Sequence, residues 1–196
     1  KTIDRMAFFK LNRLHLHLSD DQGWRIDIKQ YPKLMEIGGA SAVKGGRSGW
    51  YTQEELKHLV AYAQARGITL VPEIDLPGHV QAELASYNEL ACDDTKNLAP
   101  YSGLEVGFSV LCLDKPDVVY PFVRNVLEEV LAIFPSQEIH VGGDEIKHPL
   151  YADFVGRVAA MVDDMGRTPI FWEEGSVATT KPNVLFQFWN DGYDIA

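Results

Sequence analysis

Asp144 and Glu145 close the run His140-Val141-Gly142-Gly143-Asp144-Glu145. Neighbouring strand residues point to opposite faces. Two adjacent carboxylates therefore reach one pocket only where the backbone leaves strand geometry, which Gly142 and Gly143 permit. Carboxyl groups held close push their pKa values apart, leaving one ionised and one protonated near neutral pH. That equips a site for general acid catalysis beside a charge-stabilising partner. The plainer alternative is an exposed acidic loop, since the chain carries 28 aspartates and glutamates. His79 ends the run Asp75-Leu76-Pro77-Gly78-His79, where the Pro-Gly turn can fix the imidazole. Trp172 and Trp189 offer flat faces that suit the apolar C–H face of a sugar ring, or else pack in the core. Trp, Asp, Glu and His together suit a sugar better than a phosphate. His15 and His17 form an H-x-H pair. Their metal-site alternative is set below packing inside a barrel, because they precede the strand end, where Asp20 and Asp21 are better placed.

These groups need elements to carry them. Residues 1–10 have helical spacing, and Asn12 to Leu18 alternates as a strand, with the histidines on one face and leucines on the other. Ser19 to Gly23 reads as a polar loop. Thr52-Gln53-Glu54-Glu55 forms a capping box before an apolar stripe of Leu56, Leu59, Val60 and Ala63, and Gly67 supplies the C-terminal cap. Ile68 to Ile74 reads as a buried parallel strand, apolar on both faces. Helices follow over 116–134 and 151–165, with strands at 138–141, 169–172 and 184–189, the last ending in Asn190-Asp191. Strands alternating with helices imply right-handed βαβ units around a parallel sheet. Each strand's C-terminal end carries polar or aromatic groups, where a (β/α)₈ barrel or an open α/β sheet keeps its site. No phosphate-binding glycine loop occurs. Five strands fall short of the eight of a TIM barrel, so the expected object is a single catalytic domain over 1–196, an α/β piece covering strands two to six.

The net charge of −10 argues against nucleic acid and anionic membranes as partners. No apolar run is long enough to span a bilayer. Cys92 and Cys112 are too few for a structural zinc site and are left open between free thiols and one disulfide, the latter favouring an oxidising compartment.

Taken together, the motifs resemble glycoside hydrolase family 20, the β-N-acetylhexosaminidases. Leu14 to Arg25 (LHLHLSDDQGWR) resembles the family's second-strand signature. Val71 to His79 (VPEIDLPGH) resembles the third, and His140 to Glu145 (HVGGDE) the catalytic fourth. Phe171 to Glu174 and Phe186 to Trp189 resemble strands five and six. The resemblance implies a retaining hydrolase of terminal β-linked N-acetylglucosamine or N-acetylgalactosamine, acting by substrate-assisted catalysis. Glu145 is then the general acid, and Asp144 orients the 2-acetamido group. Asp20 and His79 form a relay that tunes Glu145, and Trp172 and Trp189 wall the pocket. The partner is an oligosaccharide or glycoconjugate, with no metal or cofactor implied. Secreted, periplasmic or lysosomal placement is the leaning. The family's pocket residues on strands one, seven and eight have no counterpart in this chain. That keeps a non-catalytic sugar-binding piece as the alternative.

Overall fold

Strands and helices alternate as the periodicity requires. A computed structural model describes residues 1–92, 98–179 and 182–189. Its strands are β1 (Arg13–His17), β2 (Ser19–Asp20), β3 (Gly23–Trp24), β4 (Thr69–Glu73), β5 (Glu138–His140), β6 (Thr168–Trp172) and β7 (Leu185–Gln187). Its helices are α1 (Thr2–Phe8), α2 (Lys33–Glu36), α3 (Gln53–Gln64), α4 (Gln81–Ser86), α5 (Pro116–Ile133) and α6 (Tyr151–Asp164). One sheet runs in the order β1-β4-β5-β6-β7 with every pairing parallel. These are the five expected strands. Asn190 and Asp191, expected at the end of the last one, lie outside the described residues.

The two faces of the sheet differ in chemistry. Leu14, Leu16, Leu70, Ile139 and Phe171 join one continuous core with the helices. In α5 that core takes Val119, Phe122, Val123, Val126, Leu127 and Val130, spaced as one helical stripe. In α3 it takes Leu56, Val60 and Ala63. The Thr52 hydroxyl accepts from the Glu55 amide at 3.1 Å while the Glu55 carboxylate accepts from the Thr52 amide at 2.8 Å, the expected capping box. Gly67 follows with φ +69°, a left-handed position that glycine takes without strain. The alternate residues His15, His17, Glu73, His140 and Trp172 point to the opposite face. The 68–74 strand was expected to be apolar on both faces. It instead carries Glu73, fully buried, on this inner face.

Two local features differ from the sequence reading. Ser19 to Gly23, expected as a loop, belongs to a tight antiparallel hairpin of β2 and β3. Burial drives it: Trp24 is fully buried with its indole N–H on the Ile26 carbonyl, and the Ser19 hydroxyl accepts from the Asp75 amide at 2.9 Å. Arg25 then holds the following loop through the carbonyls of Gln22, Ser41 and Gly49. Helix α4 lacks an amphipathic signature because it is buried nearly all round, at Gln81, Ala82, Glu83, Leu84 and Ser86. Cys92 and Cys112 are paired in a disulfide that ties the turn after α4 to the approach of α5.

Among the described residues, neither carboxylate oxygen of the fully buried Glu83 has a hydrogen-bond partner. Burial raises its pKa well above the ordinary glutamate value, so the folded protein holds it neutral. A carboxyl with a raised folded-state pKa stabilises below its unfolded value, and that stability is lost as pH rises. The loss is about 1.4 kcal/mol per pH unit between the two values. Glu83→Gln should therefore match the wild type near pH 4 in urea unfolding and exceed it increasingly towards pH 7. Parallel stability curves would contradict this account.

Candidate active site

The C-terminal ends of β1, β4, β5 and β6 converge on one group of polar side chains. After β5 the backbone leaves strand geometry at Gly142 (φ +72°) and Gly143 (φ +98°), and Glu145 itself has φ +56°. The turn is pinned by the Tyr151 hydroxyl, which donates to the Gly143 carbonyl at 2.6 Å, and by the Gly143 amide, which donates to Asp75 Oδ1 at 3.2 Å. This break makes Asp144 and Glu145 face the same way, as the two glycines suggested. Both address His79: its Nε2 lies 3.6 Å from Asp144 Oδ2 and 3.4 Å from Glu145 Oε2. His79 also has positive φ, at +55°, directly after its glycine.

On its other side His79 meets the hairpin. Its Nδ1 lies 3.4 Å from Asp20 Oδ1 and 3.6 Å from Asp21 Oδ2. The two aspartates have different roles. Asp21 is fully buried and anchors the architecture, accepting from the Ser109 hydroxyl and from the Gln81 amide. Asp20 is partly open and carries the link onward: its Oδ2 accepts from His17 Nε2 at 2.9 Å. The expected grouping of Asp20, His79, Asp144 and Glu145 is therefore present.

His17 was expected only as packing inside the barrel. It instead joins the site to a buried centre. Parallel register sets His17 opposite Glu73, and Glu73 opposite His140. The three side chains thus share one level of the inner face. His17 Nδ1 donates to Glu73 Oε2 at 2.8 Å, and the Trp172 indole N–H donates to Glu73 Oε1 at 3.0 Å. His15 Nε2 lies 2.7 Å from Glu73 Oε2, off the line of a good hydrogen bond. Burial alone would raise the Glu73 pKa, but the neighbouring histidines bring it well below the ordinary glutamate value. Burial would lower that of His17, but its bonds to Asp20 and Glu73 raise it to about 11. For His140, burial and the neighbouring histidines outweigh the Glu73 charge 3.3 Å away and lower its pKa to about 4. It is the neutral member, accepting the Gly142 N–H at Nδ1 at 3.0 Å. Sequence reading quoted Glu73 and His140 within motifs but assigned them no role.

A second carboxyl contact, between Asp75 and Asp144, joins the site. Asp75, fully enclosed, has its pKa raised well above the aspartate range by burial and by the facing charges of Asp144 and Glu73. Asp144 is also raised by burial, an effect opposed by His79 and by a hydrogen bond with Asp75. Asp75, raised furthest, therefore holds a proton that it shares with Asp144. Among the described residues, Asp144 Oδ1 is buried and has no hydrogen-bond partner.

Trp172 and Trp189 form a corner, with ring centroids 6.5 Å apart at 66°. Trp172 leans on His140 at 4.6 Å. Trp189 is half exposed and donates to Glu174 Oε2 at 3.4 Å. Among the described residues, His15, Glu73 and His140 bring three potential metal-ligand atoms within 4.8 Å of one another. Both Glu73 oxygens and His140 Nδ1 are already engaged, by His17, Trp172 and the Gly142 amide.

Gly142 packs directly on Asp75. A Cβ there would stand 1.7 Å from Asp75 Oδ1 and 2.7 Å from the Asp75 Cα, in a backbone conformation that already disfavours one. Gly142→Ala should cost about 3 kcal/mol or more in urea unfolding. Gly156→Ala, with open space around it, serves as the matched control. Equal stability of the two variants would contradict the packing described.

Residues 1–153 match the model of glycosyl hydrolase family 20, catalytic domain. A β-N-acetylhexosaminidase of Cellulomonas fimi is 40% identical, covering 99% of this chain and 39% of the relative. A solved β-N-acetylhexosaminidase of that family from Streptomyces coelicolor superposes with a TM-score of 0.93 at 43% identity, covering 98% of this chain and 40% of that one. A mutant Streptomyces plicatus β-hexosaminidase in complex with its product, GlcNAc, gives 0.93 at 45% identity, covering 99% and 39%. The chain thus spans about two fifths of the length of these relatives. By motif order, strand topology and family match, it belongs to glycosyl hydrolase family 20.

Proposed function

We propose that this chain carries the acid–base centre of a retaining hydrolase for terminal β-linked N-acetylglucosamine or N-acetylgalactosamine. The observation that carries the reading is the pair Asp144 and Glu145, turned together onto His79 at the C-terminal end of the sheet.

The chemistry follows from those positions. Glu145 protonates the leaving glycosidic oxygen as the C1–O bond breaks. The carbonyl oxygen of the substrate's own 2-acetamido group attacks C1 and closes an oxazolinium ring. Asp144 accepts the acetamido N–H, which orients that carbonyl, and its charge stabilises the positive ring. Asp75, neutral behind it, supports Asp144 by hydrogen bonding and leaves the negative charge on the residue that faces the sugar. Water then attacks C1 as Glu145 takes its proton, and the ring's C1–O bond breaks, restoring the acetamido group. Two displacements at C1 retain configuration. Trp172 and Trp189 offer two ring faces inclined at 66°, a shape that fits a pyranose and its acetamido methyl. The hexosaminidase names of the relatives favour the same substrate class.

The test is release of p-nitrophenol from its β-N-acetylglucosaminide, beside the matching β-glucoside. The acetamido substrate should be turned over and the glucoside should not. Glu145→Gln should lower kcat/KM by roughly 10³-fold, and Asp144→Asn should lower it sharply for the acetamido substrate. An unchanged rate in Glu145→Gln would overturn the mechanism. Binding of N-acetylglucosamine without any turnover would replace it with a sugar-binding role.

A further inference from the structure

We propose that His17 is a positioning residue that clamps Asp20 against His79, with buried Glu73 as its fixed anchor. The role extends the hydrolase reading, since its consequence is the state of the histidine that faces Asp144 and Glu145.

The argument begins with hydrogen counting. His17 lies between two carboxylates, 2.8 Å from Glu73 Oε2 through Nδ1 and 2.9 Å from Asp20 Oδ2 through Nε2. A neutral imidazole carries one N–H. In that state one carboxylate would face a ring lone pair at hydrogen-bond distance. The geometry therefore calls for imidazolium, and the pKa of about 11 agrees.

Glu73 is suited to be the anchor because it cannot move away. It is fully buried, and Trp172 holds its other oxygen. Asp20 needs a clamp because its side chain is one-third exposed. Its Oδ1 takes the Asp21 amide at 2.7 Å and faces His79 Nδ1 at 3.4 Å. The bond from His17 to Oδ2 fixes the rotation of the carboxylate and so keeps Oδ1 aimed at His79. The result is a line of alternating charge: Glu73, His17, Asp20, then His79.

The surrounding groups do not supply this function. Around His17 stand Glu73 and Asp75 from the end of β4, Asp20 from β2, and His140 from β5; Glu83 of α4 is neutral. Around His79 stand Asp20, Asp21, Asp75, Asp144 and Glu145. Burial lowers the His79 pKa, and Asp20 is the leading influence that raises it above its ordinary value. Loss of aim at Asp20 therefore lowers it. Loss of a nearby positive charge alone would raise it. The two roles of His17 thus predict opposite signs.

Imidazole nitrogen and carbon NMR shifts of the 196-residue chain, titrated from pH 4 to 10, read both histidines directly. In the wild type, His17 should keep both ring protons to at least pH 9. This needs no variant. In His17→Gln, the His79 pKa should fall by about one pH unit, the effect of losing a close opposite charge. Asp20→Asn should produce a similar fall, and the double variant should add nothing to Asp20→Asn. His17 titrating near its ordinary value would overturn the proposal, as would an unmoved or raised His79 pKa in His17→Gln. Both readouts are independent of turnover. A chain with these titrations and no glycosidase activity would fail the hydrolase reading alone. An active chain without them would fail this inference alone.

Discussion

A carboxylate taken wholly out of water costs several kcal/mol unless its charge is matched and its oxygens are bonded. Glu73 occupies that position on the inner face of the sheet, and the arrangement around it is the answer to that cost. Register aligns His17 and His140 with it from the strands on either side. His17 supplies the opposite charge, and Trp172 supplies a second donor. Each group bound to Glu73 is thereby oriented for something beyond it. His17 reaches the hairpin carboxylate that faces His79. Trp172 presents its ring to the same mouth. His140 takes the amide of Gly142, where the chain begins its turn towards Asp144.

The site pairs this rigid floor with a strained rim. His79 and Glu145 hold positive φ without being glycine, a conformation that costs about 1 kcal/mol or more each. Asp75, fully enclosed, shares a proton with the partly buried Asp144. None of these features helps the fold on its own account. They persist because the opposite face of the sheet buries a continuous apolar core against α3, α5 and α6, including the fully buried Phe154 and Phe171. Division of labour between the two faces follows from the period-two alternation of the strands.

Much of this was legible from local sequence. Alternating Leu and His over 14–18 marked β1, and the Thr52–Glu55 box marked the start of α3. The motif around Asp144 and Glu145 marked the turn after β5 that brings the two carboxylates together. What was not legible depended on alignment between distant segments. Nothing near residue 73 announces that His17, 56 positions earlier, will donate to it. The histidine pair was judged too far from the strand end to matter, yet three residues suffice for His17 to reach Asp20 once the chain turns back into the hairpin. Asp75 lies nearly 70 residues before Asp144, so its share in that proton was equally hidden. Helix α4 escaped because a short helix buried nearly all round has no polar face to give it a period. The cysteine pairing required knowing that the segments on either side of α4 and α5 meet.

The central claim is that Asp144 and Glu145 read a sugar through its 2-acetamido group. The most direct test is a crystal structure of the protein with N-acetylglucosamine. The account predicts the acetamido N–H on the Asp144 carboxylate, the anomeric oxygen facing Glu145, and the ring lodged against Trp172 and Trp189. A sugar bound with its acetamido group turned away from Asp144, or bound elsewhere on the protein, would contradict it.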